Sequence, residues 1–318
     1  MAPTGRHQAL KLPLPGGSTY LGYRAGAWLA RTVPRRVAEA VALSGGQAVA
    51  PVMGGRRAMA ERHLRRVYGP HVGEAELARQ VRRAFASYAR YWAESFRLPV
   101  TSAAELDAGM STEGIGHIDR ARAEGRGVIV GLPHLGGWDA GGAWFTSVGY
   151  PMTVVVEAVE PPELFEWFCS ERRARGLEVV PLGPDAGVQV LRRLRDNGVV
   201  ALVCDRDITG AGVEVEFFGE RTTLPSGPAA LALRTGAALL PTAVYFDGRR
   251  GHRAVVRPPL DTARQGRFGA DVARVTQLLA DELEALVRRA PDQWHLFQPN
   301  WPSDPGYRRR TSSAGAGA

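Results

Sequence analysis

The hydrophobic pattern of this chain changes character near residue 98. Before that point apolar residues recur every three to four positions, the period of a helix buried along one side. TYLGYRAGAWLART and the stretch after Pro34 predict two short helices within 19–45. GRRAMAERHLRRVY (55–68) predicts a basic helix, and Leu77, Val81, Phe85, Tyr88, Trp92 and Phe96 form one apolar stripe on a long helix over 73–98. Beyond residue 98, short runs rich in Val, Ile and Leu predict strands at 127–131, 152–157, 177–181, 199–204, 213–218, 238–246 and 252–257. Helical patterns fall at 137–148, 161–175, 186–195, 227–235 and 268–290. Strands alternating with helices predict an α/β fold with a central, mostly parallel sheet flanked by helices. The strands at 213–218 and 238–257 lack a helix between every pair and predict a mixed edge. The expected organisation is a flexible N-terminus (1–18), one domain (19–302) and a disordered low-complexity tail (303–318). Within the domain, 19–98 is the helical part and 99–302 the α/β core.

Tyr20, Tyr23, Ala27 and Leu29 fall among the apolar positions of the first helix, with Trp28 beside Arg24 and Arg31. This suits an amphipathic helix lying in a membrane interface, and equally a helix packed on its own domain. Charge bears on that choice. The 40 basic residues outnumber 32 acidic ones, for a net charge of +8, and Lys11 is the sole lysine. Such a surface attracts phosphates, whether of an anionic membrane or a nucleotide-bearing substrate. Neither an RNP pattern nor a zinc-finger spacing is present, so a nucleic-acid partner is not expected. No apolar run reaches the ~18–20 residues of a membrane span, and the start lacks the apolar core of a secretory signal. Cys169 and Cys204 are far apart and read as free thiols of a reducing compartment. The expectation is a cytoplasmic protein able to rest on a membrane.

The chemistry concentrates in GVIVGLPHLGGWDAGG (127–142). A buried strand ends in a turn carrying His134, and a helix of small residues follows. Strand ends of this kind are where open α/β sheets bind ligands. A free imidazole titrates near ~6.5 and so accepts a proton at neutral pH. Asp139 lies five residues on, and on one continuous helix the two would diverge by ~140°. Flanking glycines allow the chain to fold back, and Asp139 is expected to fix the ring's tautomer; alternatively it serves the first N–H groups of the helix. Gly136 and Gly137 are expected to offer backbone N–H groups to a developing oxyanion. With no GxSxG elbow, the attacking group is expected to be a substrate hydroxyl, and a thioester suits it as donor. No HExxH, DxDxDG or P-loop pattern supports a metal or a bound nucleotide. A second polar cluster covers 204–220: Asp205 and Asp207 follow a strand, and Glu214 and Glu216 share one face of the next, as functional acids or as a solvated edge. Glu157 ends its strand, and Arg172 lies in the basic run ERRARG.

His134 and Asp139 resemble the HxxxxD signature of glycerolipid acyltransferases. The wider set RHLRRVYG (62–69), SYARYWAESFRLP (87–99), PHLGGWD (133–139), VCDRDITGAGVEVEFFGE (203–220), LPSGPAALALRTGAALLP (224–241) and PDQWHLFQPNW (291–301) resembles the late lipid A acyltransferase family, in particular its phosphatidylinositol mannoside acyltransferase branch. The resemblance covers roughly 19–302. It implies a peripheral enzyme on the cytoplasmic side of the inner membrane. It further implies transfer of a long acyl chain, typically palmitoyl, from acyl-CoA to the 6-hydroxyl of a mannose on phosphatidylinositol mannoside, with no permanently bound cofactor. His134 is then the base and Asp139 its partner. A further acid contacts the histidine, matched best by Glu214, with Glu216 or Asp207 as alternatives. Glu157 and Arg172 match positions lining the substrate groove. The residues taken alone leave open the same chemistry on another glycolipid or a lysophospholipid, and a catalytically silent lipid-binding protein on the same scaffold.

Overall fold

Among the described residues four helices come first: α1 (Gly16–Thr32), α2 (Arg35–Val49), α3 (Gly54–Tyr68) and α4 (Glu74–Arg97). The computed structural model describes residues 16–249 and 251–307. Pro34, which restricts the residue before it, separates α1 from α2. At 24 residues, α4 is about 36 Å long. Its stripe does what its period requires: Leu77, Val81 and Phe85 are buried, together with Leu64 of α3 and Phe297 from the far end of the chain. α2 lies close against it, for a Cβ on Gly46 would stand 2.6 Å from the Phe85 carbonyl oxygen. α1 packs Tyr23 edge-on against Trp92 and Phe96 of α4. Its other side leaves Leu21, Trp28 and Leu29 exposed, and α2 adds exposed Val37 and Val41.

The α/β part follows in the order α5 (Ala103–Ala108), β1 (Met110–Glu113), α6 (Gly116–Ala123), β2 (Val128–Leu132), α7 (Trp138–Ser147), β3 (Met152–Val156), α8 (Pro162–Arg173), β4 (Glu178–Pro181), α9 (Ala186–Arg195) and β5 (Val199–Val203). It continues with β6 (Val213–Phe217), β7 (Glu220–Leu224), α10 (Gly227–Thr235), β8 (Ala238–Asp247), β9 (Gly251–Val256) and α11 (Phe268–Arg289). Seven strands form one sheet in the order β1-β9-β8-β2-β5-β3-β4. From β8 to β4 all neighbours are parallel, while β9 runs antiparallel to β8 and parallel to β1, which makes the mixed edge. β2 and β5 carry only apolar residues and glycine because helices cover both faces. Ile129, Val200 and Leu239 pack under α9, α10 and α11. Val128, Val130 and Leu132 pack on the other side with Trp144 and Phe145 of α7.

The strand at 213–218 departs from expectation: it leaves the main sheet and, among the described residues, pairs only with β7. Phe218 and Gly219, with φ of 52° and 74°, form the two-residue turn. Positive φ at both positions is the turn geometry that follows the strands' twist. At the chain ends, residues 1–15 and 308–318 lie outside the described residues. Residues 16–18 of the expected flexible start already belong to α1. The expected tail also begins too early: Asp304 is buried and accepts the backbone N–H groups of Asn300 and Trp301 at 2.9 and 3.0 Å.

Candidate active site

β2 and β5 are parallel neighbours with Leu132 opposite Val203. The ladder continues one step further, as the Cys204 N–H donates to the Leu132 carbonyl at 2.8 Å. Counting two residues beyond each strand end brings His134 opposite Asp205. The imidazole Nδ1 stands 2.7 Å from Asp205 Oδ1, and the His134 backbone N–H donates to Oδ2 at 3.0 Å. Trp294 donates its indole N–H to the same Oδ2 at 2.8 Å. The Asp205 side chain is 0% exposed and that of His134 29%. Burial is the strongest single influence on Asp205 and opposes its charge. The His134 ring, then the N–H donors of His134 and Trp294, together outweigh it and hold the carboxyl below its usual range. A carboxylate at Nδ1 requires the ring proton there, leaving the lone pair on Nε2. Among the described residues Nε2 has no hydrogen-bond partner.

His134 borders a cavity of about 290 Å³, near the lower end of small-molecule sites. The period of two along a strand puts Val130, Leu132 and His134 on one face of the sheet, joined by Val154, Ala201 and Val203. Tyr91, Trp92 and Phe96 of α4, Phe145 of α7 and Trp167 of α8 form the opposite wall. The chamber is lined mainly by apolar side chains, with His134, Asp139, Glu157 and Arg172 among its polar residues.

Asp139 takes a different place from the one expected. It turns towards α4 and α8, where Arg172 reaches both its oxygens at 3.0 Å, the Tyr91 hydroxyl donates at 2.8 Å, and Ser95 stands at 3.4 Å. The cause is the helix start between the two residues: Trp138 opens α7 and lays its ring edge-on to His134, with centroids 5.6 Å apart. Asp139 therefore braces α7 against α4 and α8, and Asp205 orients the imidazole. Burial and the neighbouring Asp139 push the Tyr91 phenol well above its ordinary value, so it stays a donor. The two glycines are also otherwise engaged. Gly136 N–H donates to the Gln293 carbonyl at 2.9 Å and Gly137 N–H to the Val244 carbonyl at 2.8 Å, so neither is free for an oxyanion. Gly136, at φ 60°, is required by the turn, and a Cβ on Gly137 would stand 2.6 Å from the His252 ring.

The sequence profile of bacterial lipid A biosynthesis acyltransferases matches residues 9–303. The chain belongs to this family. A phosphatidylinositol mannoside acyltransferase of Mycolicibacterium smegmatis is 40% identical over 303 residues, covering 94% of this chain and 97% of the relative. One of Mycobacterium tuberculosis H37Rv is 44% identical over 231 residues, 70% of this chain and 71% of its own. A lipid A biosynthesis acyltransferase of Haemophilus influenzae is 25% identical over 230 residues, 71% of this chain and 69% of its own.

In this acyltransferase Glu157 and Arg172 both border the cavity, and Glu157 accepts a hydrogen bond from Arg206 at 2.8 Å. The other acids stand apart from it. Glu214 and Glu216 face outward from β6, Glu214 pairing with Arg221 at 3.2 Å, so neither reaches the histidine. Asp207 knots its own loop, accepting the N–H groups of Gly210 and Gly212 at 2.8 Å each and the Thr223 hydroxyl at 3.0 Å. Sequence reasoning passed over Asp205 as the imidazole's partner and missed Tyr91, Trp294 and His295 as site residues. His295 is buried behind the site with Nε2 2.9 Å from the Ser87 hydroxyl. Burial first, then His134, lowers its pKa to about 3, so it stays neutral. Burial pushes both cysteine thiols up, and neither offers a ready thiolate.

Proposed function

We propose that this acyltransferase moves a long-chain acyl group, palmitoyl by preference, from acyl-CoA to the 6-hydroxyl of a mannose of a phosphatidylinositol mannoside. The observation that carries the reading is an imidazole, oriented by a buried carboxylate, bordering a largely apolar cavity. Nε2 of His134 takes the proton of the sugar hydroxyl as its oxygen attacks the thioester carbonyl. The imidazolium faces Asp205. Collapse of the tetrahedral intermediate breaks the C–S bond, and the thiolate of coenzyme A leaves and takes the proton from His134. The acyl chain lies against Val130, Leu132, Val154 and Ala201, each buried CH₂ contributing up to ~0.8 kcal/mol. The names of the mycobacterial relatives support the acceptor.

The enzyme works as a peripheral protein on the cytoplasmic side of the inner membrane. No helix among the described residues is long and apolar enough to cross a membrane. The exposed Leu21, Trp28, Val37 and Val41 dip into the interface, and each arginine near an anionic surface adds ~1 kcal/mol. The test combines purified protein, palmitoyl-CoA and a mixed lipid extract containing phosphatidylinositol mannosides. Release of free thiol and mass spectrometry of the lipids are the readouts. Wild type is expected to yield acylated mannoside, and His134→Ala to lose at least ~100-fold in rate while remaining folded. Acylation confined to another lipid class refutes the acceptor, and full turnover by His134→Ala refutes the base.

A further inference from the structure

The base and its carboxylate stand on loops after two different strands, and a third segment grips both. Residues 291–304 follow α11 and cross the ends of β2 and β5. Trp294 forms an isolated antiparallel bridge with Leu135, and the His295 N–H donates to the His134 carbonyl at 2.8 Å. On the other side Trp294 Nε1 donates to Asp205 Oδ2 at 2.8 Å, and Asn300 Nδ2 donates to the Asp205 carbonyl at 3.0 Å. The strap is fastened beyond the site as well. Leu296 O lies 2.9 Å from His63 Nδ1 of α3, and Asp304 accepts from Arg66 at 2.8 Å.

Asp205 has no contact with solvent, so only protein donors can stabilise its charge. The donors divide unequally. Oδ1 serves the His134 ring alone, while Oδ2 takes the His134 N–H and the Trp294 indole N–H. This division fixes how the carboxylate is rotated. With the indole N–H removed, Oδ2 keeps one donor, and the group is free to turn or to take up a proton. Trp294 itself cannot turn away: it is 3% exposed and ringed by His63, Phe217, Phe218 and Trp301.

We propose that Trp294 is a positioning residue for acyl transfer, its indole N–H holding Asp205 with Oδ1 towards His134 Nδ1. The proposal rests on the reading of His134 as base. Four titratable groups bear on Asp205. His134 faces it from the loop after β2, Cys204 adjoins it in sequence, His295 lies on the strap, and His63 of α3 stands beyond the indole. Loss of a donor to the anion raises the proton affinity of the coupled pair, so activity fails at a higher pH on the acid side.

The test measures palmitoyl-CoA thiol release against pH for wild type, Trp294→Phe and Trp294→His. Phe keeps an aromatic ring without the donor, and His restores a ring N–H. Trp294→Phe is expected to lower kcat about 10-fold or more with KM within twofold. The acid limb of its pH profile moves upward, and Trp294→His recovers part of both. In an Asp205→Asn background, Trp294→Phe adds less than twofold. An unmoved pH profile with wild-type kcat overturns the proposal, and so does a full additional loss in the Asn background. If Trp294→Phe does not fold, Trp294→His carries the test, and a kcat as low as that of Asp205→Asn overturns it. His134→Ala in the same assay separates the two ideas: its full activity refutes the base and the positioning role together. An inactive His134→Ala beside an unaffected Trp294→Phe refutes the positioning role alone.

Discussion

His134 with Asp205 and His252 with Glu94 are the same chemical pair in two settings, each joined at 2.7 Å. Glu94 also accepts from Arg90 Nε at 2.7 Å, and Arg90 is itself held by the Gly248 carbonyl and the Phe246 ring. A full positive charge thus already answers that carboxylate. Asp205 takes only uncharged N–H donors on its second oxygen, so its charge remains directed at the imidazole. The surroundings differ as well. His252 is 7% exposed and borders a cavity of about 30 Å³, room for little more than a water. His134 borders one roughly ten times larger. By this contrast the His134 pair suits proton acceptance, its anion not already neutralised and its ring bordering open space, whereas the His252 pair is a fastening.

The contrast can be broken most sharply at the two carboxylates. Asp205→Asn is expected to lower kcat by about 10²–10⁴-fold, since the amide no longer stabilises the imidazolium; single-turnover thiol release measures it. Glu94→Gln should instead leave kcat within about threefold while costing roughly 3 kcal/mol of stability in urea unfolding, because Arg90 stays buried without its anion. Equal kinetic losses in the two variants would erase the distinction. A smaller effect comes from His295. Its pKa falls from 6.5 to about 3 on folding, so between those values the unfolded chain holds a proton that the folded chain lacks. Stability therefore falls as pH drops through this window and levels off below about 3. Urea midpoints of wild type should decline from pH 6.5 to 4 more steeply than those of His295→Gln, and parallel slopes would remove His295 as the cause. Least of all, Glu214→Gln on the solvent face of β6 should change neither kcat nor stability beyond about 0.5 kcal/mol. A large loss there would restore Glu214 to the site.

Periodicity located the apolar elements well, because strands covered on both faces and long one-sided helices leave strong patterns. It passed over β1, a four-residue exposed edge, and β7, a polar strand reached through a turn with Phe218 in an unusual conformation. His134 was legible as a candidate because it stands just past an apolar strand in a glycine-containing turn, and its ring does border the cavity. Its partner was not. Asp139 is near in sequence but turned away by the first residue of α7, whereas Asp205 is 71 residues distant and adjacent only through the pairing of β2 with β5. GLPH and LVCD each run two residues past the observed strand ends Leu132 and Val203, an offset that the predicted bounds of 127–131 and 199–204 concealed. Nothing local marks the indole of Trp294 as a donor to that acid, since the contact depends on how the strap crosses both strand ends.

The strap has a consequence for the order of events on the ribosome. His134, Asp205 and the lining of the cavity all precede residue 291, while the segment that grips the first two follows them in the chain. A growing chain therefore carries His134 and Asp205 before the segment that fastens them has been made, and their mutual alignment waits for residues 294–300.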